Sequence, residues 1–276
     1  MLRHCAALAV LVASSSPAAK PTFQDVLKKF PMATLPLTIK DPAEQKTKLT
    51  AADADALGFL KDTSTQLASL RAWKKKTGEG ETKALWPVAR IQRTGHQLLL
   101  IRFDDDMPMA SGKETFVLSY DDNGTLLGGL TFHLEFSSEA GGATNLSTLD
   151  QAGVISRLIK TSTPMHEAGL PEELVVTSEQ RARLTSTGAL EVMAPAFSTR
   201  TGAYLDAKSK EELRVFDKRV FYRGNESKPF QELEGDGNTV RFKGSPKPYV
   251  LTWNDRRSAI SCQNPDGAVQ LFTRTW

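Results

Sequence analysis

The chain has 276 residues and a nearly balanced charge, with 35 Lys and Arg against 32 Asp and Glu, for a formal net charge of +3 at pH 7. Hydrophobic residues make up 40% and charged residues 24%, which is typical of a folded globular protein and excludes a disordered chain. The basic residues are scattered among acidic ones, so we expect no nucleic-acid partner.

The first 18 residues predict an export signal. Arg3 precedes an apolar run from Ala6 to Ala13, and the small residues Ser16 and Ala18 favour cleavage after Ala18. The run is far shorter than the roughly 20 residues that span a bilayer, so we expect no transmembrane segment. The alternative is the apolar N-terminus of a cytosolic protein. The export signal predicts a secreted or periplasmic protein.

Cleavage would also change the cysteine content of the chain. It removes Cys5 and leaves Cys262 as the single cysteine, so no intramolecular disulfide is expected. Cys262 alternates with Ile260 in a strand-like run, which favours a buried and inert thiol over a nucleophile.

Residues 19–83 are expected to form a helical N-terminal segment. Thr22 is placed to cap a short helix that Pro31 terminates, and Thr50 with Asp53 forms a capping-box pattern for a second helix. A third helix is predicted over residues 63–75 from an apolar stripe. Between the first two helices, residues 35–39 are extended, and Pro36 confines them to an edge strand or a packed arm.

Residues 84–276 are expected to form an antiparallel β domain. Four hairpins share one pattern, in which alternating residues flank a turn that contains Gly95, Gly124, Gly188 or Gly267. Their irregular spacing excludes a propeller or solenoid with a fixed repeat. The sequence therefore predicts a non-repetitive antiparallel meander, arranged as a sandwich or an open barrel.

The hairpin over residues 116–136 is the clearest of the four. Its turn is Asp121-Asp122-Asn123-Gly124, in which Asn and Gly tolerate positive φ. Along each strand, apolar residues occupy every second position, and the positions between them in the second strand hold polar residues that include His133. The alternation predicts a half-buried sheet with His133 on a solvated face. The preceding strand, residues 96–103, is apolar on both faces and is expected to be central.

Other stretches are less regular. Residues 137–145 are rich in small side chains and predict a loop, residues 154–159 fit a helix or a strand, and residues 213–222 predict a strand. The C-terminus predicts a three-stranded meander that continues to the last residues.

Catalytic and metal-binding motifs are absent from the sequence. There is no G-x-S-x-G, S-x-x-K or H-E-x-x-H pattern, and His96, His133 and His166 lie far apart in sequence. Hence no catalytic residue, cofactor or metal ligand is assigned. The acidic runs, Asp104 to Asp106 and Asp121 with Asp122, remain candidates for a cation site or a carboxylate pair only if the loops that carry them converge.

Aromatic residues and sequons leave further alternatives. Trp86, Trp253 and Trp276 lie in strand-like stretches, where core packing explains them more simply than a glycan-binding face. N-x-S/T sequons begin at Asn123, Asn145 and Asn225, and they matter only in a host that glycosylates.

The leading hypothesis is an exported, non-catalytic β-rich protein that binds a protein partner, a glycan or another cell-envelope component. The alternative is a hydrolase of an envelope polymer or glycan that uses the acidic loops. A third hypothesis is an inhibitor-like module that inserts the loop at residues 137–145 into an enzyme.

Overall fold

The computed structural model describes residues 19–39, 47–73, 82–107, 110–139, 141–166 and 170–275. The protein is mainly β, with antiparallel strands and a few short helices near the N-terminus. This confirms the fold class expected from the sequence. Among the described residues, no helix is long and apolar enough to cross a membrane. The predicted signal and Trp276 lie outside the described residues.

Three short helices lie near the N-terminus in the described part of the chain, and the first two begin where the capping patterns predict. They are α1 (Phe23–Leu27), α2 (Ala51–Leu57) and α3 (Ala68–Ala72), with single 3-10 turns at Phe59–Lys61 and Thr65–Leu67. Thr22 and Thr50 each form a complete capping box, with Asp25 and Asp53 respectively. The third helix is shorter than predicted, because its first turn is a 3-10 turn.

The first sheet has ten antiparallel strands. They are β1 (Leu37–Ile39), β2 (Thr82–Arg93), β3 (His96–Met107), β4 (Ala110–Asp121), β5 (Leu126–Ser138), β6 (Gly141–Leu149), β7 (Val154–Pro164), β8 (Glu173–Leu184), β9 (Leu190–Val192) and β10 (Ala196–Phe197). The order along the sheet is β10-β8-β7-β6-β5-β4-β3-β2. In addition, β1 pairs with the part of β6 that β5 leaves unpaired, and β9 pairs with β8. The short edge strand predicted around Pro36 is therefore present as β1.

The sheet folds over between β5 and β6. These strands pair only where residues 135–138 meet residues 141–144, and β1 then takes the edge of β6 that β5 leaves. At the point of divergence, the Asn145 side chain accepts a hydrogen bond from the Leu134 N–H (2.6 Å) and donates one to the Phe132 carbonyl (3.4 Å). Strands β2–β5 and β6–β8 thus enclose a common core.

Strands β3 and β4 are covered on both faces. Phe116, Leu118 and Tyr120 of β4 pack against the helices, whereas Val117 faces the core inside the folded sheet. The central position predicted for residues 96–103 is confirmed, because Leu98 to Ile101 are all fully buried. The half-buried sheet predicted for residues 116–136 is wrong for β4, because the helices cover its predicted apolar face and the folded-over sheet covers the opposite face, which was expected to meet solvent.

Two irregularities in β4–β5 pairing also break the predicted alternation. The register shifts between Thr115 and Phe116 and again between Ser119 and Tyr120, and each shift moves the following side chains to the other face. His133 is consequently buried, with 2% of its surface exposed, and not on a solvated face.

The strands correct two further predictions and decide one alternative that the sequence left open. The loop expected at residues 137–145 is wrong, because the residues described there are the end of β5 and the start of β6, which pair with each other. Residues 154–159 belong to strand β7. Residues 213–222 are not one strand, because a turn at Asp217 and Lys218 divides them into two strands.

The C-terminal residues form a closed barrel of eight strands. They are β11 (Gly202–Leu205), β12 (Glu212–Phe216), β13 (Arg219–Arg223), β14 (Gln231–Gly235), β15 (Thr239–Arg241), β16 (Tyr249–Trp253), β17 (Ala259–Gln263) and β18 (Val269–Arg274). Each strand pairs with the next, and β18 closes the ring by pairing with β11. The C-terminal meander predicted from the sequence is confirmed as β16–β18. Of the two arrangements that the sequence left open, a sandwich or an open barrel, these residues adopt a barrel, and the pairing of β18 with β11 closes it.

The two ends of the barrel have different surroundings. Consecutive strands are antiparallel, so their connections lie alternately at the two ends of the barrel. We call the end where the chain enters from the first sheet the linker end. It holds residues 198–201 and the turns at residues 217–218, 236–238 and 254–258. The other end, the mouth end, holds the connections at residues 206–211, 224–230, 242–248 and 264–268.

The linker end is attached to the first sheet by two arginines. Arg257 donates hydrogen bonds to the carbonyls of Phe197 (3.2 Å) and Ser198, and Arg274 donates to the carbonyl of Thr199 (3.1 Å). The Arg274 guanidinium also lies 3.7 Å from the centre of the Phe197 ring. The mouth end of the barrel is thus the end opposite this attachment.

Candidate functional site

A cavity of about 150 Å³ lies inside the barrel at its mouth end. Its apolar wall is the barrel core, and its polar side chains lie near the connections of the mouth end. The lining residues are Glu211, Leu213, Tyr222, Leu233, Val240, Phe242, Tyr249, Leu251, Cys262, Asn264, Gln270 and Phe272. An eight-stranded barrel of this kind is just wide enough to hold side chains or one small ligand.

Glu211 is the charged residue of the cavity wall, and its carboxylate is held by three donors. The Tyr222 hydroxyl donates to Oε1 at 2.8 Å, and Gln270 Nε2 and Ser209 Oγ donate to Oε2 at 2.6 and 3.1 Å. A carboxylate offers about four acceptor positions. This network fixes the orientation of Glu211 and leaves about one acceptor position for a ligand.

The Tyr222 hydroxyl remains a neutral donor. Burial, together with the hydrogen bond to Glu211, raises the pKa of Tyr222 well above its ordinary value. The phenol therefore cannot serve as a base at neutral pH, and its function in this wall is to orient the carboxylate.

Three aromatic rings line the cavity, namely Tyr222 on β13, Phe242 just after β15 and Tyr249 at the start of β16. The Tyr222 and Phe242 rings have centroids 5.2 Å apart at an interplanar angle of 88°, and the Phe242 and Tyr249 rings are 5.7 Å apart at 81°. These are edge-to-face contacts, which stabilise aromatic pairs by about 1 kcal/mol each. The ring planes turn by nearly a right angle at each step along the wall.

Cys262 and Asn264 lie on the same wall. Burial, with a smaller effect of the Glu211 charge, raises the pKa of the Cys262 thiol to about 11, so the thiol is protonated and inert at neutral pH, in agreement with the sequence-based interpretation. The Asn264 side-chain oxygen is buried and accepts no hydrogen bond. It is an acceptor that a ligand in the cavity can satisfy.

The two acidic runs do not form one site. Asp104, Asp105 and Asp106 lie within β3, which continues to Met107, and are not the loop expected after it. Asp104 pairs with Lys113 in the β3–β4 register, whereas Asp121 pairs with His96 at the other end. Eight residues along β4 separate these positions, which is roughly 26 Å at about 3.3 Å per residue.

Each acidic run has a local structural role. Asp104 accepts hydrogen bonds from the Trp86 indole (2.7 Å) and Arg102 (3.0 Å). Asp121 accepts from the backbone N–H groups of Asn123 (3.0 Å) and Thr125 (2.7 Å), which is the turn chemistry predicted for it.

The three histidines that follow the predicted signal are also dispersed. His166 is exposed. His96 and His133 are buried at separate positions along the β3–β5 ladder, and burial, reinforced by the nearby Arg93 charge, lowers the pKa of His96. In the part of the chain that the structure describes, no group of three His, Cys, Asp or Glu side chains is arranged to hold a metal ion.

The tryptophans and sequons occupy varied settings. Trp86 and Trp253 are half-buried and lie under Arg102 and Arg200, respectively, and Trp253 also packs against the barrel core, as the sequence suggested. Asn145 is buried and hydrogen-bonded at the β5–β6 divergence, contrary to the loop expected there.

Sequence reasoning did not identify the cavity residues. The sequence feature that could have identified them is their spacing from buried strand residues. Each lies two positions along the chain from a residue that faces the barrel interior: Glu211 from Leu213, Asn264 from Cys262 and Gln270 from Phe272. A polar residue on the inward parity near a strand end indicates a polar barrel mouth. That reading requires knowing that the strands close into a barrel.

Comparisons with protein-family models, curated proteins and solved structures found no match to this chain. The functional argument therefore rests on the chemistry of the cavity.

Proposed function

We propose that the protein is an exported, non-catalytic binding protein, and that its barrel cavity receives a small group belonging to a cell-envelope component. The observation that carries this proposal is the cavity itself, in which an apolar wall surrounds one oriented carboxylate and a buried acceptor without a donor. Such a combination of apolar walls with a few converging polar groups is typical of a ligand site.

Two features favour binding over catalysis. The residues described around the cavity include one carboxylate, Glu211, and it is occupied by three donors. Hydrolysis of a glycan by the usual mechanism needs two carboxyl groups across the scissile bond. The acidic runs considered for that reaction lie at opposite ends of the β3–β4 hairpin.

A cavity-blocking variant tests the proposal. In Cys262→Phe, the new ring occupies the space that the thiol borders, so ligands of the cavity are excluded. We expect ligand-observed NMR with a library of small polar and apolar fragments to find compounds that bind the unmodified protein and not the variant. Leu251→Phe, on the neighbouring strand, is a second blocking variant in case the first does not fold.

The screen has a clear negative outcome. Variants that melt cooperatively and still bind every fragment as the unmodified protein does would show that binding occurs elsewhere. A screen without any fragment bound to the unmodified protein would equally contradict a ligand site in the barrel.

Export is tested separately by the mature N-terminus. Mass spectrometry of protein recovered from the periplasm or medium should identify Ala19 as the first residue. Retention of residues 1–18 in protein confined to the cytosol would contradict export.

A further inference from the structure

Building on the proposed function, we propose that the ligand is zwitterionic, with an organic ammonium group inside the barrel cavity and an anionic group at its rim.

The polar groups of the cavity are suited to a cation. Glu211 is the single charged residue in the wall as the structure describes it, and Asn264 contributes a buried carbonyl oxygen without a donor. The hydroxyl of Tyr222 and the amide of Gln270 are directed to Glu211, and they hold its charge at the cavity wall. An anion placed here would meet the Glu211 charge in a poorly solvated site.

The three rings are also suited to a cation. Tyr222, Phe242 and Tyr249 line the cavity with successive planes at 88° and 81°. An aromatic face that borders the cavity offers an electron-rich surface of the kind that binds ammonium groups, above all alkylated ones. A carboxylate beside such rings adds the attraction of a full negative charge to the weaker attraction that the ring quadrupoles exert on a cation.

The size of the cavity limits the group that enters. A protein cavity of about 150 Å³ admits a molecule such as benzene, and the present cavity has a similar volume of about 150 Å³. A trimethylammonium group is comparable with a benzene ring in bulk. The remainder of a larger ligand must lie outside, at the mouth.

Lysines are concentrated on the connections around the mouth. Lys208 and Lys210 lie on the first connection, Lys228 on the second, and Lys243 and Lys247 on the third, and all are exposed. Exposed acids on the four mouth connections are fewer, namely Glu226 on the second and Asp266 on the fourth, since Asp206 is buried. A phosphate or carboxylate attached to the ammonium group would therefore meet a positive rim.

Isothermal titration of the full chain with three probes of similar shape tests both parts of the proposal. The probes are phosphocholine, choline and 3,3-dimethylbutyl phosphate, in which a neutral tert-butyl group replaces the trimethylammonium group. We expect phosphocholine to bind about tenfold or more tightly than 3,3-dimethylbutyl phosphate. Phosphocholine should also bind severalfold more tightly than choline at low salt, an advantage that high salt removes.

Matched variants test which residues bind the ammonium group and which bind the anionic group. Phe242→Leu and Glu211→Gln should each weaken phosphocholine and choline by about tenfold. The controls Phe216→Leu, on the same barrel outside the cavity, and Glu226→Gln, on a mouth connection, should leave the affinities within about twofold. Joint replacement of Lys243 and Lys247 by Gln should weaken phosphocholine and not choline.

The outcomes separate this inference from the proposed function. Binding of 3,3-dimethylbutyl phosphate as tightly as phosphocholine would overturn the ammonium assignment, and equal binding of choline and phosphocholine at low salt would overturn the rim assignment. If no probe binds while the fragment screen yields cavity ligands, the zwitterion is wrong and the proposed function stands. If both experiments fail, the proposed function fails with it.

Discussion

At the scale of single residues, the barrel shows how neighbours determine chemistry. Cys262 and Glu211 line the same cavity, yet one is a buried, inert thiol while the other is a carboxylate oriented by three donors. Burial disfavours a thiolate because a charge loses its hydration.

The Cys262 thiol provides a measurable consequence. Since its pKa is raised to about 11, alkylation by iodoacetamide should accelerate about tenfold per pH unit from about pH 8 to about pH 10. Peptide-level mass spectrometry of the Cys262 peptide follows the rate. The control is denatured protein, in which the rate should level off above about pH 9. A native rate that levels off at the same pH would contradict the raised pKa.

At the scale of elements, the sequence predicts correctly the features that depend on residues close together along the chain. Thr22 and Thr50 were identified as helix caps because a capping box needs residues only three positions apart. The parity of β5 was not predictable, because the bulges that shift it depend on pairing with β4. His133 is the residue most affected, since the shift places it in a buried position.

The capping box of α2 also carries a tertiary contact. Lys29, just beyond α1, places its ammonium group 2.6 Å from the Asp53 carboxylate, which is 1% exposed. Burial by itself would raise the pKa of Asp53, but hydrogen bonds from Lys29 and Thr50 outweigh it, so the pKa is lowered. The contact connects the first two helices.

Replacing Asp53 should therefore destabilise the protein. We expect Asp53→Asn to lower the free energy of unfolding by about 2 kcal/mol, because Lys29 loses its partner. A lowered pKa in the folded state means that this contribution is complete above the pKa of an unfolded aspartate, about 4, and is lost as the pH falls below it. Urea unfolding at a series of pH values measures both effects.

The matched control is Asp25→Asn, which alters the exposed capping box of α1. Its effect should be clearly smaller than that of Asp53→Asn. Equal losses for the two variants, or an unchanged acid dependence in Asp53→Asn, would show that the Lys29 contact contributes nothing beyond helix capping.

At the scale of the whole molecule, closure of the barrel depends on the last residues of the chain. Strand β18 meets β11 through two register pairs, Leu205 with Thr273 and Tyr204 with Arg274. Arg274 also binds the carbonyl of Thr199 and the Tyr204 hydroxyl. The same few residues thus close the barrel and hold its connection to the first sheet.

A chain that ends at Phe272 should consequently lose a folded barrel. The truncation removes both seam pairs and the Arg274 contacts, a loss of several kcal/mol against a typical total stability of about 5–15 kcal/mol. Thermal melting followed by near-UV circular dichroism measures it, and a chain ending at Thr275 is the control. A soluble Phe272-terminated protein that melts cooperatively at the temperature of the control would contradict this role of the C-terminus.

The sequence by itself determined the features that depend on neighbours along the chain. These are the mainly β antiparallel class, the Gly-containing turns, the capped helices and the C-terminal meander, because turn and cap preferences are set by residues within a few positions. Only the tertiary structure decided which strands close into a barrel and which face each side chain takes. Glu211, Tyr222, Phe242 and Gln270 are distant in sequence, and it is ring closure that places them around one cavity.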